Sequence, residues 1–154
     1  MKRFADLIAE TLPLIHEIFP WDLAELLESG GQPLIVDVRE PYEYEAMHIP
    51  GSINVPRGIL ESACDWGYDE TVPELAAARE QEVVVVCRSG NRSVLAADTM
   101  RRMGYRDVKS LKTGVRGWND YEQPLVDARG RPVDIDDADQ FLASRVRPEQ
   151  MGPD

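Results

Sequence analysis

The chain has 154 residues, 43% of them apolar, enough for one domain that buries its own core. Its formal charge of -11 argues against nucleic acid or an anionic membrane as partner, and no apolar stretch approaches membrane-spanning length. Two cysteines, Cys64 and Cys87, make neither a secreted disulfide framework nor a zinc site, and Asp6 and Glu10 interrupt the N-terminus before any signal-peptide core, so a reducing cytoplasm is the expected location.

In chain order, Phe4, Leu7, Ile8 and Leu12 have helical spacing that Pro13 ends. Residues 1–14 are therefore read as a helical extension, packed on the domain or used in self-association. Leu14 to Phe19 predicts a short edge strand. Pro20 to Leu27 predicts a helix, with proline in its first turn and Gly30-Gly31 past its end, and Trp21, Leu23, Leu26 and Leu27 are assigned to the core. Leu34 to Val38 reads as a buried strand. Asp37 and Arg39 at its end are assigned a structural role, pairing or capping loops near the site. Pro41 opens a short helix carrying Tyr42, Glu43 and Tyr44. His48 precedes Ile49-Pro50-Gly51 with no metal-ligand partner and no triad, so it is read as the anchor of a turn that leads into a strand from Ile53 to Val55.

Residues 57–82 form a mixed connection that contains Cys64 and a helical run from Val72 to Arg79. Then come four consecutive valines, Val83 to Val86, a β-branched run suited to a strand buried on both faces of a parallel sheet. Cys87-Arg88-Ser89-Gly90-Asn91-Arg92-Ser93 follows as a polar loop. Ala96, Ala97, Met100 and Met103 next recur at spacings of three and four before Gly104, which marks an apolar-striped helix with a glycine stop. Tyr105 to Leu111 supplies the last strand, and Lys112-Thr113-Gly114 a turn. In the acidic tail, Asp134, Asp136, Asp137 and Asp139 precede Phe141-Leu142, as in a helix with an acidic start; the cluster lacks the glycine and terminal glutamate of a calcium loop, so no metal is expected.

The strand, loop and helix around Cys87 carry the chemistry. A cysteine at the carboxyl end of a central strand, beside a helix N-terminus, lies where open parallel α/β sheets place ligands, and unpaired N–H groups there favour an anion. Gly90 lets the loop turn with positive φ, Arg88 and Arg92 add fixed positive charge, and Ser93 offers a hydroxyl. Together these favour the thiolate, the nucleophilic form. A small buried core cysteine is the plain alternative, but a loop with two arginines, a glycine and small polar residues makes a poor core segment.

Four segments in order resemble the rhodanese-like domain family: Leu34-Ile35-Val36-Asp37-Val38-Arg39-Glu40-Pro41, His48-Ile49-Pro50-Gly51-Ser52-Ile53-Asn54-Val55-Pro56, Cys87 to Ser93, and Gly114-Val115-Arg116-Gly117-Trp118. The resemblance runs from about Ile15 to Val126, which leaves 1–14 as an N-terminal and 127–154 as a C-terminal extension. It implies an α/β fold with a central, mostly parallel five-stranded sheet flanked by helices on both faces. It also implies that Cys87 carries sulfane sulfur as a persulfide, that residues 88–93 cradle the substrate, and that no metal or organic cofactor is needed. Arg57, Glu61 and Trp66 would then stand near the site's mouth. Phosphatases of related fold use a longer C-x5-R loop; here four residues separate Cys87 from Arg92 and position 93 is serine, which favours sulfur over phosphate. The expected activity is transfer of sulfur from thiosulfate or a persulfide to cyanide or a thiol, with a protein as a further possible donor or acceptor. The alternative is a non-enzymatic module that senses an anion or binds a protein. A disulfide between Cys64 and Cys87 would make a redox relay instead, but no C-x-x-C spacing links the two.

Overall fold

The four valines become the centre of the molecule. In a computed structural model that describes residues 1–153, Glu82–Val86 form β4, flanked by β2 (Leu34–Asp37) and β5 (Asp107–Leu111). β1 (His16–Ile18) and β3 (Ile53–Asn54) complete a parallel sheet of order β1-β5-β4-β2-β3. Parallel strands need crossovers, and the helices these supply cover both faces. Val83 and Val85 point to one face with Leu34 and Val36; Val84 and Val86 point to the other with Ile35. Alternation along a strand thus divides a continuous apolar run between two cores.

The first core is closed by α4 (Leu60–Ala63), α5 (Pro73–Ala76) and α6 (Arg92–Arg102), which contribute Leu60, Ala63, Leu75, Ala96, Ala97 and Met100. The second is closed by α2 (Pro20–Glu28), α7 (Gly114–Asp120) and α8 (Ile135–Leu142), through Leu23, Ala24, Val115, Trp118, Ala138 and Leu142. α3 (Pro41–Ala46) leads into Met47 and Ile49 of that same core. Asp134 caps α8 by accepting the N–H groups of Asp136 and Asp137, and Asn119 donates to Ile135 O and Asp139 Oδ1. Residues 135–142 are therefore built into the fold by apolar burial and by hydrogen bonds. By contrast α1 (Phe4–Thr11) has no buried residue and lies against α6.

Two expectations are corrected. Trp21 is not in the core: the inward stripe of α2 is Pro20, Leu23 and Ala24, and Trp21, turned away from it, stacks on Phe19 with centroids 4.5 Å apart. The run from Val72 to Arg79 yields only one helical turn, Pro73–Ala76, and the Arg79 side chain beyond it donates to Met103 O, Ala76 O and Tyr105 Oη. No helix among the described residues is long and apolar enough to cross a membrane.

Candidate active site

Cys87 follows β4 directly and is 1% exposed. The chain then turns through Gly90, at φ +94°, where a Cβ would come within 2.9 Å of Thr113 N. Only glycine fits this approach without strain. The turn brings the N–H groups of Gly90 and Ser93 to the sulfur, 3.2 and 3.3 Å from Sγ. Ser93 is the second residue of α6, whose N-cap Asn91 makes no side-chain cap. Cys87 Sγ therefore takes the place a capping oxygen would fill, at the positive end of the helix dipole.

A short hydroxyl chain continues behind the sulfur. Sγ lies 3.4 Å from Ser93 Oγ, which accepts from Ser110 Oγ at 2.8 Å. A hydroxyl has one proton and two lone pairs, so Ser93 can accept from a thiol or, by rotating, donate to a sulfur anion. Ser110 is fully buried on β5 and pairs in register with Val85. In the sequence its only signal is a lone hydroxyl within an otherwise strand-like run.

α7 holds the loop from behind. Val115 N donates to Cys87 O and Arg116 N to Arg88 O, each at 2.9 Å, so two free amides of the first helical turn are satisfied by the loop's carbonyls. This contact needs Gly114, at φ +61°, because a Cβ there would overlap both carbonyl oxygens. The Gly114-to-Trp118 motif is thus a clamp, with Trp118 buried and its indole N–H donating to Pro124 O at 2.9 Å.

The two arginines of the loop are not equivalent. Arg92 makes a two-pronged pair with Glu43 of α3, at 2.8 and 3.1 Å. Burial of Glu43 pushes its carboxyl up, but the hydrogen bond from Arg92, that from Glu40 N–H, and the charges of Arg92 and Arg39 outweigh it and hold the group below the usual glutamate range. Arg88 makes no ion pair among the described residues, so it is the uncompensated cation of the loop. In the sequence Glu43 is one residue of a short helix; it lies 49 positions from Arg92, and no local pattern announces the pair.

Asp37 and Arg39 are paired and almost fully buried, with Arg39 Nη2 at 2.8 Å from Asp37 Oδ2 and at 2.6 Å from Met47 O. Asn54 donates to the carbonyls of both residues, which fixes the end of β2 beside the loop. His48 stacks on Tyr44, and its Nδ1 lies 2.8 Å from Tyr44 O while its backbone pairs with Val126. It is a turn anchor, far in role from the sulfur.

The cleft over Cys87 holds about 370 Å³ and is lined by Arg88, Ser89, Asn91 and Arg92 of the loop, Glu40, Tyr42 and Glu43 of the α3 segment, and Phe4 of α1. It opens between β2 and β4, where the sheet's connections diverge, the position at which open α/β sheets bind ligands. Arg57, Glu61 and Trp66 do not line it: Arg57 is held by Glu61 and Thr99, and Trp66 is exposed. Cys64 and Cys87 are both free thiols. No group of metal-ligating side chains occurs among the described residues.

Residues 20–121 match the family profile described as Rhodanese-like domain. The chain belongs to the rhodanese-like domain family. Among its relatives, a candidate sulfur carrier protein of Bacillus subtilis, YrkF, is 38% identical over 118 residues, 77% of this chain and 58% of that protein. The match to the adenylyltransferase and sulfurtransferase of Drosophila virilis, MOCS3, is 36% identical over 55% of this chain and 18% of that protein. The chain thus spans little more than half, or less, of these two relatives. Among solved structures, a Rhodopseudomonas palustris protein of unknown function, described as a candidate tyrosine phosphatase, superposes with a TM-score of 0.74 at 31% identity, covering 80% of this chain and 94% of that one. A human single-domain sulfurtransferase superposes with a TM-score of 0.60 at 30% identity, covering 68% and 95%. The rhodanese-like fold expected from the motifs, a five-stranded parallel sheet with helices on both faces, is the one observed.

Proposed function

We propose that this rhodanese-like domain is a sulfurtransferase that carries sulfane sulfur as a persulfide on Cys87. The observation that carries the reading is the environment of the sulfur: two backbone N–H groups and a rotatable hydroxyl converge on Sγ at the end of the central strand. Fixed donors of this kind stabilise a sulfur anion without reorganising. In the first step the Cys87 thiolate attacks the outer sulfur of thiosulfate; the Cys87 S–S bond forms, the sulfur–sulfite bond breaks, and sulfite leaves with its electron pair. In the second, cyanide or a thiolate attacks the terminal sulfur, leaves as thiocyanate or a persulfide, and restores the thiolate. Atoms, charge and electrons balance over the two steps, so the cycle calls for no metal or organic cofactor. A persulfide donor would serve the same first step.

The similarity to a candidate phosphatase raises dephosphorylation as a second reading. Four residues separate Cys87 from Arg92, and the Arg92 guanidinium is already held by Glu43, whose carboxylate, with Glu40, borders the cleft. Through the cycle the loop has to hold only one terminal sulfur above Sγ, since the sulfonate of thiosulfate leaves as sulfite, whereas a phosphoryl group carried on Cys87 would keep three oxygens against that carboxylate with the arginine already engaged. The decisive test is the intact mass of reduced protein before and after thiosulfate, then after cyanide, with Cys87→Ser in parallel. Gain of one sulfur atom that needs Cys87 and disappears with cyanide is expected. No gain from thiosulfate or from an alkyl persulfide would overturn the reading.

A further inference from the structure

Beside the Cys87 cleft lies a second groove of about 310 Å³, lined by Arg88, Ser144, Arg145, Val146 and Gln150. Arg88 borders both spaces, so its side chain is common to the two. The other four residues come from the segment after α8, outside the stretch that matches the family profile. Arg145 is held in place by donating from Nη2 to Gln140 O at 2.8 Å, which caps the end of α8. Neither Arg88 nor Arg145 forms an ion pair among the described residues, whereas Arg147 nearby is paired with Glu149 and Arg92 with Glu43. In a chain of net charge -11, two uncompensated guanidiniums on one groove form a local positive site.

We propose that this groove is a carboxylate subsite, which binds the distal acid group of a sulfur donor or acceptor whose sulfur sits over Cys87. The proposal rests on the sulfur-transfer reading and narrows it to a substrate class: thiols or persulfides that carry a carboxylate remote from their sulfur. Guanidinium forks match carboxylates in geometry and charge, and Ser144 and Gln150 add hydrogen-bonding groups. Thiosulfate and cyanide carry no carboxylate to place in the second groove. A peptide-sized thiol is large enough to occupy both.

Glutathione and its diethyl ester serve as probes, since they share a skeleton and differ in carboxylate charge. With thiosulfate as donor, Arg145→Ala is expected to raise the KM for glutathione about fivefold, as fits a charge-assisted bond at an exposed arginine. The KM for the ester and the rate with cyanide should not move. Equal effects on glutathione and ester, or no effect on either, would overturn the subsite while leaving sulfur transfer in place. Binding of unreactive S-methylglutathione, followed by calorimetry on the parent and on Arg145→Glu, decides the same question without turnover. Weaker binding to Arg145→Glu supports the subsite even in a protein that transfers no sulfur, and equal binding or none to either protein sinks it.

Discussion

Cys64 and Cys87 are both buried in the core on one side of the sheet, yet they are set up for opposite chemistry. Cys64 ends α4 among apolar side chains. Burial pushes its thiol up, and the neighbouring Tyr105 hydroxyl and the charge of Arg79 only partly offset this. Tyr105, whose hydroxyl donates to Leu75 O, is raised as well, chiefly by burial, so both groups stay protonated at neutral pH. Around Cys87, burial is accompanied by the N–H groups of Gly90 and Ser93 and by a cleft. Exposure does not separate the two thiols; the donors aimed at the sulfur do.

The largest effect that bears on this contrast is Cys87→Ser, which should abolish sulfur transfer and persulfide formation, while Cys64→Ala keeps both. Persulfide found on Cys64 by peptide mapping would break the comparison. Next in size, Gly114→Ala forces a side chain against the carbonyls of Cys87 and Arg88. It should cost about 2–3 kcal/mol, lowering Tm by roughly 5–10 °C, and reduce kcat more than a destabilised but correctly folded fraction explains. Thermal melts read alongside rates at low temperature separate the two contributions.

A smaller effect is expected at Glu43. Glu43→Gln removes a carboxylate from the cleft and releases the charge of Arg92, so the KM for thiosulfate should fall about two- to threefold at low salt, and less at high salt. The cost in stability should be about 1 kcal/mol at neutral pH. Because the carboxyl of Glu43 is held below its ordinary range, the pair's contribution is complete above the unfolded glutamate pKa and is lost as pH falls through the lower folded value. The difference in Tm between parent and Glu43→Gln should therefore close on the acid side of pH ~4. Parallel curves across that range would show that the pair does not stabilise the fold. Smallest of all, Cys64→Ala should leave KM unchanged and cost about 1 kcal/mol from lost packing, and iodoacetamide at neutral pH should label Cys87 well before Cys64.

What could be read from the sequence was local. Val83 to Val86, the loop's glycine and the stripe of α6 are encoded within a few residues of one another, by the periods of strand and helix and by the one residue that accepts Gly90's conformation. The same holds for the acidic start of α8. Partners brought together by tertiary folding were not legible: Glu43 with Arg92, Ser110 with Ser93, Phe4 over the cleft, and Arg145 beside Arg88. Trp21 shows the same limit in reverse. Large and apolar, it suits a core by composition, but one step of 100° around α2 turns it to the surface.

The place of Cys87 Sγ as the acceptor for the first turn of α6 has a practical consequence. An alkyl adduct that draws the sulfur away from Gly90 and Ser93 N–H strips the helix of its cap, worth about 1 kcal/mol, and should lower the melting point by a few degrees, about 2–4 °C. A persulfide, whose terminal atom keeps negative charge within the loop, should spare it. The protein thus carries its own gauge of loading, and a melting curve can serve as a titration of what the cysteine holds.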